Sequence, residues 1–381
     1  MKLRFCKWVV IAILLLSPGS PGHAWVTLVD KDDRKLELET RLMFWGVSAG
    51  PEDVPSGPVQ SEDINDFSVR RARFLLRAKA SPRLEIYLQL GQDNDGGKVL
   101  KPDAGFRIKD FYLNYKRAEG LQVLVGQFKV PFLRQNLESG FNQLLVDRAT
   151  LPSLRPALEG QRDVGGMIWG NHGGFQYRVA VFDGSDQDTT NTRSSFRAAT
   201  RLSYNWFTPE PDAGYTGTTI GEKRILQVGL QGDAQEHRMD PKDDAGFTTL
   251  NRDYRAWAAD VYFDQPFGGR WALTFEGAWL DRRDDYDSPG VSTRSIKGSY
   301  AQGGLLLPGQ VGPGRLQLVA RYEDLDTERG VVESGTINRG VGINYFGKGH
   351  DRKIQFDYTR RRESPVSLDN DEYRLSVVAV F

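Results

Sequence analysis

The chain has 381 residues, of which 50 are basic, 50 acidic and 4 histidine, so its formal charge at neutral pH is zero. A neutral total excludes the basic footprint of a nucleic-acid-binding protein, and a single cysteine excludes a disulfide-stapled fold. No apolar run reaches the ~20 residues that a spanning helix needs, which excludes a helical membrane protein.

The N-terminal residues read "MKLRFCKWVVIAILLLSPGSPGHAW". Lys2, Arg4 and Lys7 precede an apolar run from Trp8 to Leu16, and Gly22-His23-Ala24 follows a Pro/Gly stretch. That is the layout of a secretory signal peptide over residues 1–24, with cleavage expected after Ala24 and a mature domain over 25–381. Cys6 would leave with the signal, so the exported chain would have no thiol chemistry.

From residue 34 onward, segments with a period of two follow one another to the end. In chain order they span residues 34–45, 66–80, 82–92, 107–117, 120–129, 162–170, 174–184, 196–207, 223–232, 253–264, 269–280, 297–307, 314–325, 337–346, 352–361 and 371–381. These sixteen segments are close to the ~9–11 residues with which a tilted strand crosses a bilayer. Connections alternate between short turns such as "RAEG" and "GNHGG" and long polar loops such as "DGSDQDTTNTRSS" and "DRRDDYDSPGVSTRS". The expected fold is all-β: a closed antiparallel 16-stranded transmembrane β-barrel, with tight turns at one rim and long loops at the other. The segment from Thr208 to Gly221 is long where a short turn is expected, and the sequence accounts for it only as a tolerated insertion.

The faces agree. In "GRWALTFEGAWL", Trp271, Leu273, Phe275 and Trp279 take one side and Ala272, Thr274 and Glu276 the other, as lipid outside and water inside require. The final "DEYRLSVVAVF" alternates to the last residue, so it is expected to pair with the first strand and close the barrel, because hydrocarbon satisfies no open edge. A secreted β-sandwich with one wet face is the alternative fold.

Residues 105–170 carry a more specific signal. Tyr115-Lys116 ends one strand; Gly126, Phe128, Lys129, Pro131 and Phe132 follow; Asp147-Arg148 sits in a long loop; Arg162 and Gly165-Gly166 open the next strand. This order resembles the phosphate-selective porin O and P family. The resemblance implies a sixteen-stranded porin of the outer membrane of a Gram-negative bacterium, assembled as a homotrimer, with its third external loop folded into the lumen. Outer-membrane lipid and lipopolysaccharide would surround it. Phe381, a terminal aromatic after alternating apolar residues, looks like the signal read by the barrel-assembly machinery.

The loop after the fifth strand, residues 130–160, fits that implication independently. Phe132, Leu133, Phe141, Leu144, Leu145, Val146, Leu151 and Leu154 want burial, and a loop so long and apolar is seldom a solvated flap. Packed against the inner wall it would leave Lys129, Arg134 and Arg148 at a pore constriction as anion-binding groups; an external loop resting on its neighbours is the alternative. Among inward-facing positions the basic residues, including Arg71, Arg73, Arg77, Lys79, Arg197 and Arg201, outnumber the acidic ones. Rings of Arg or Lys attract anions, so small anions such as phosphate are the expected permeants. Acidic loops such as "DGSDQD" and "SLDNDE" argue against strong phosphate specificity and leave a general diffusion porin as the runner-up. His172, His237 and His350 show no metal spacing, no glycine-rich phosphate loop opens a helix, and no cofactor, metal or enzymatic activity is expected.

Overall fold

The computed structural model describes residues 25–50, 64–93, 106–153, 161–184, 195–240, 250–286, 293–330, 332–365 and 371–381. The proposed signal peptide lies outside the described residues, as does Leu154. Among the described residues seventeen strands follow one another: β1 (Val26–Lys31), β2 (Arg34–Ala49), β3 (Ile64–Ser81), β4 (Leu84–Asp93), β5 (Arg107–Ala118), β6 (Leu121–Lys129), β7 (Arg162–His172), β8 (Phe175–Phe182) and β9 (Arg197–Asn205). The series continues with β10 (Ile225–Asp240), β11 (Leu250–Phe267), β12 (Trp271–Tyr286), β13 (Arg294–Val311), β14 (Gly314–Arg329), β15 (Val332–Lys348), β16 (Arg352–Ser364) and β17 (Glu372–Val380).

Strands β2 to β17 pair with their chain neighbours, all antiparallel, and β17 pairs with β2 from Glu372↔Ala49 to Val380↔Arg41. Sixteen strands thus close into a barrel. The last residue is held on both sides of its peptide: Phe381 N–H donates to the Thr40 carbonyl and Thr40 N–H to the Phe381 carbonyl, each at 2.9 Å. Outward positions are apolar and exposed, as at Leu273, Phe275 and Trp279, while Thr274 and Glu276 between them are wholly buried.

Strand β1 is the addition to the sixteen expected. It pairs with β2 from Val26↔Leu38 to Lys31↔Arg34, where β17 has already ended, and so prolongs the line of the terminal strand at the short-turn rim. Asp32 and Asp33, with φ of 51° and 64°, form the two-residue turn between them, the left-handed pair that a tight hairpin demands.

Several strands outrun their sequence limits. "DRRDDY", expected in a loop, is the end of β12, paired with β13 through Asp281↔Lys297 to Asp284↔Arg294. Likewise β14 and β15 run on until only residues 330–331 separate them. Strand ends with polar side chains on both faces leave no hydrophobic period to read, although the backbone ladder continues.

After β6 the chain turns inward. A helical turn, Arg134–Leu137, is followed by irregular backbone and then a 3-10 turn, Leu151–Ser153. Phe141 and Val146 pack on Met43, Trp45 and Val378; Leu144 and Leu145 pack on Val319. A Cβ at Gly298 or Gly304 would lie 2.9 Å from Leu151 or Leu144 respectively, so these wall positions admit the loop because they carry no side chain. Wall side chains satisfy its backbone: Asn344 Nδ2 donates to Leu144 O at 2.8 Å, Val146 N to Asp357 Oδ2 at 2.9 Å and Arg134 N to Asp260 Oδ2 at 2.8 Å.

The connection from β9 to β10, residues 206–224, also folds inside. Tyr215 N–H donates to Leu137 O and Gly217 N–H to Asn142 O, while Thr219 N–H meets Asp264 Oδ2 at 2.7 Å. A Cβ at Gly217 would approach Asn142 O to 2.7 Å, which makes the docking dependent on glycine. The stretch that reads as a tolerated insertion is therefore a second inner segment, braced against the first.

Candidate lumen constriction

Between the inner segments and the wall formed by strands β14 to β17 and β2 to β8 lies a cavity of 760 Å³. The charged residues that line it are twelve basic ones, Arg41, Arg70, Arg71, Arg73, Arg77, Lys129, Arg148, Arg162, Arg178, Arg321, Arg361 and Arg374, and six acidic ones, Asp93, Asp110, Asp147, Asp212, Glu323 and Glu372. Strand alternation aims most of the strand residues inward, and the inner segments add Asp147, Arg148 and Asp212.

Arg70 and Arg71 are adjacent in sequence yet both buried against the lumen. The register of β2 with β3 shifts between Met43 and Phe44, which makes Arg70 the extra residue of a bulge between Arg71↔Met43 and Val69↔Phe44. This bulge turns two consecutive guanidiniums to one face. Strict alternation sends Arg70 outward, which is why sequence reasoning passed over it. Arg41 and Arg361 continue the inward periods of Glu37-Glu39 and Lys353-Asp357, a signal that was present and unused.

Nine of the twelve cations have carboxylate partners. Arg162 holds Asp110 at 2.7 Å, Arg77 holds Glu37 at 2.8 Å, Arg73 binds Asp93, Arg41 binds Glu39, and Arg321 reaches Glu323 at 3.5 Å. Arg70, Arg71 and Arg374 surround Asp147 at 3.9, 3.7 and 3.6 Å, and Arg361 lies 3.8 Å from Glu372. Burial works to raise the Asp147 carboxyl, but those three guanidiniums outweigh it and hold it below the usual carboxylate range. Among the described residues, three lining cations hydrogen-bond to carbonyl oxygens with no carboxylate in ion-pair contact, and one of them, Arg178, also lies over the Tyr215 ring at 4.8 Å. Lys129 Nζ donates to Glu138 O at 2.6 Å, Arg148 Nη2 to the same oxygen at 2.7 Å, and Arg178 Nη2 to Asp212 O at 3.1 Å.

The residues expected to meet at the pore divide. Lys129, Arg148, Arg71, Arg73 and Arg77 line the cavity. Arg134 does not: it is wholly buried, forked onto Glu210 at 2.7 and 2.8 Å, and sandwiched between the rings of Tyr262 at 3.6 Å and Tyr215 at 4.3 Å. Burial alone would lower its affinity for the proton; the Glu210 carboxylate reverses this and holds Arg134 well above its usual range. Arg197 is consumed by Asp233 and Asp163, Arg201 by Asp260, and neither lines the cavity. Lys79 is exposed and lies outside it too. The inner fold of residues 206–224 covers Arg134, and nothing in the local sequence of either segment announces that meeting.

A protein of Aquifex aeolicus (strain VF5), described as an uncharacterized protein, is 25% identical over 367 residues, covering 89% of this chain and 82% of its own. Among solved structures, a loop L8 deletion mutant of OmpT, an outer membrane protein of Vibrio cholerae, superposes with a TM-score of 0.61 at 9% identity over 92% of this chain and 100% of that one. In-vitro folded OmpT of Vibrio cholerae in its trimer form gives 0.54 at 10% identity, over 92% and 100%. These likenesses concern the fold. The family model for phosphate-selective porin O and P matches residues 46–380, nearly the whole barrel, and with it the chain belongs to that family and forms a channel in the outer membrane of a Gram-negative bacterium.

Proposed function

We propose that the protein is a passive channel that prefers anions, and that Lys129 and Arg148 form the anion-attracting part of its constriction, supported by Arg71, Arg73 and Arg77. The observation that carries this reading is the two-to-one excess of cations around the cavity, where among the described residues Lys129, Arg148 and Arg178 have no carboxylate in ion-pair contact. In a narrow lumen with low-dielectric walls, unneutralised cations raise the local concentration of anions and repel cations. Residues 1–24 act as the export signal, the short-turn rim faces the periplasm, and Phe381 is read during assembly. Three copies associate through their lipid-facing walls, among lipid and lipopolysaccharide.

The test is the zero-current potential of the refolded protein in a planar bilayer under a potassium chloride gradient, repeated with millimolar phosphate. An anion sign with block by phosphate supports the reading. A cation sign discards it. The second reading, a general diffusion porin, draws on the nine lumen cations that carboxylates neutralise, and it predicts a potential near zero.

A further inference from the structure

Resting on the anion preference just proposed, we infer that the lumen selects organic anions with an aromatic body over compact inorganic ones. The cavity wall is chemically divided. Beside the arginines of β2 and β3, the strands β4 to β7 present Tyr87, Tyr112, Leu124, Phe128 and Met167 to the same space. Tyr87 and Tyr112 stack with centroids 5.1 Å apart, and Tyr112 meets Phe128 edge-on at 6.5 Å. A hydrated inorganic ion gains little from the ring faces and aliphatic groups of such a surface, which carry no charge, and Tyr87 O–H is already turned to Gln89 Oε1 at 3.3 Å. A ring gains both area and geometry.

Cations stand at both borders of this patch. Arg77 is the direct cross-strand partner of Tyr87, and Tyr87 of Tyr112. The row continues through Gly126 and Gly165, which carry no side chain, so on the β6 and β7 side no polar side chain stands across from Tyr112. At the other border Lys129 follows Phe128 in the chain, with Arg148 on the same carbonyl. A molecule with a ring on the Tyr87-Tyr112-Phe128 surface can therefore set an anionic group against Lys129 and Arg148 without leaving the wall. A compact oxyanion uses only the second half of that site.

The experiment titrates the potassium chloride current of the native, refolded full chain in a planar bilayer with phenylphosphonate and, separately, with methylphosphonate, which share a headgroup and differ in the body. Phenylphosphonate is expected to block at a concentration about tenfold lower, the effect of moving a ring's area out of water. Tyr87→Ser combined with Tyr112→Ser should bring the two concentrations together, whereas Tyr87→Phe, which keeps the ring, should preserve their ratio; conductance itself certifies that each variant has folded. Equal block of the native channel by both compounds overturns the inference, as does an unchanged ratio in the double serine variant. An anion-signed potential with equal block discards the aromatic preference alone, and a cation-signed potential with both compounds inert discards the anion reading beneath it.

Discussion

Lys129 and Arg148 donate to one and the same oxygen, the carbonyl of Glu138, at 2.6 and 2.7 Å. Two like charges are held within a few ångströms of each other, and among the described residues neither is in ion-pair contact with a carboxylate. Two cations about 4 Å apart repel by about 4 kcal/mol at an effective dielectric of about 20, and an anion between them relieves that repulsion. Lys129→Gln with Arg148→Gln should thus lower the chloride-to-potassium permeability ratio, by about two- to fivefold, equivalent to about 0.4–1 kcal/mol. Reversal potentials on the double variant measure this; a ratio equal to the native one removes the pair from the constriction.

Asp147 works in the other direction. It neutralises part of the field of Arg70, Arg71 and Arg374, so Asp147→Asn should raise the anion preference. Its carboxyl lies below the ordinary range, so in sign its ion pairs are complete above the unfolded value and are lost only as pH falls through the lowered one. The difference in potential between Asp147→Asn and the native channel should therefore persist from neutral pH down to about pH 4, where an ordinary carboxylate would be half protonated. A difference that fades over that interval shows that the three guanidiniums do not hold Asp147 ionised.

Closure, the sixteen strands of the barrel and the two faces were legible because each rests on a period of two, which the backbone imposes on every strand, whereas β1 was not. Failures came where something non-local intervenes. Arg70 escaped because one bulge shifts the period by a residue. The ends of β12 and β14 escaped because polar side chains occupy both faces there. Arg134 was placed in the pore because its charge is visible and its cover is not: Glu210 and Tyr215 come from 76 and 81 positions along the chain. The family motif around Lys129 and Arg148 is local, and those two residues do line the cavity.

The Arg134 and Glu210 pair supplies a stability test. Breaking a buried pair leaves an uncompensated charge and costs about 3–5 kcal/mol, whereas replacing both members by apolar groups is often neutral. Glu210→Leu should lower the temperature at which the refolded barrel loses its compact mobility in detergent gels, and Glu210→Leu with Arg134→Met should restore most of it. If the single variant melts with the native protein, the inner segment of residues 206–224 is not fastened by this pair.

The first inner segment is held differently, by apolar side chains seated over glycines. Leu144 and Leu145 are buried to 0% and 1% exposure. Each fully buried leucine contributes about 1.5–3 kcal/mol, a large share of what fastens a stretch whose regular structure is two short helical turns. Leu144→Ser with Leu145→Ser should loosen that stretch, raising single-channel conductance and adding open-state noise, because the hydrogen bonds that Asn344 donates and Asp357 accepts lose the packing that keeps water from competing. Gly304→Leu approaches the same contact from the wall, where a Cβ would stand 2.9 Å from Leu144, and should produce the same noise while the loop keeps its own sequence. Native conductance and a quiet trace in both variants would mean that the ion pairs and backbone hydrogen bonds alone hold the constriction, and that the two leucines are only fill.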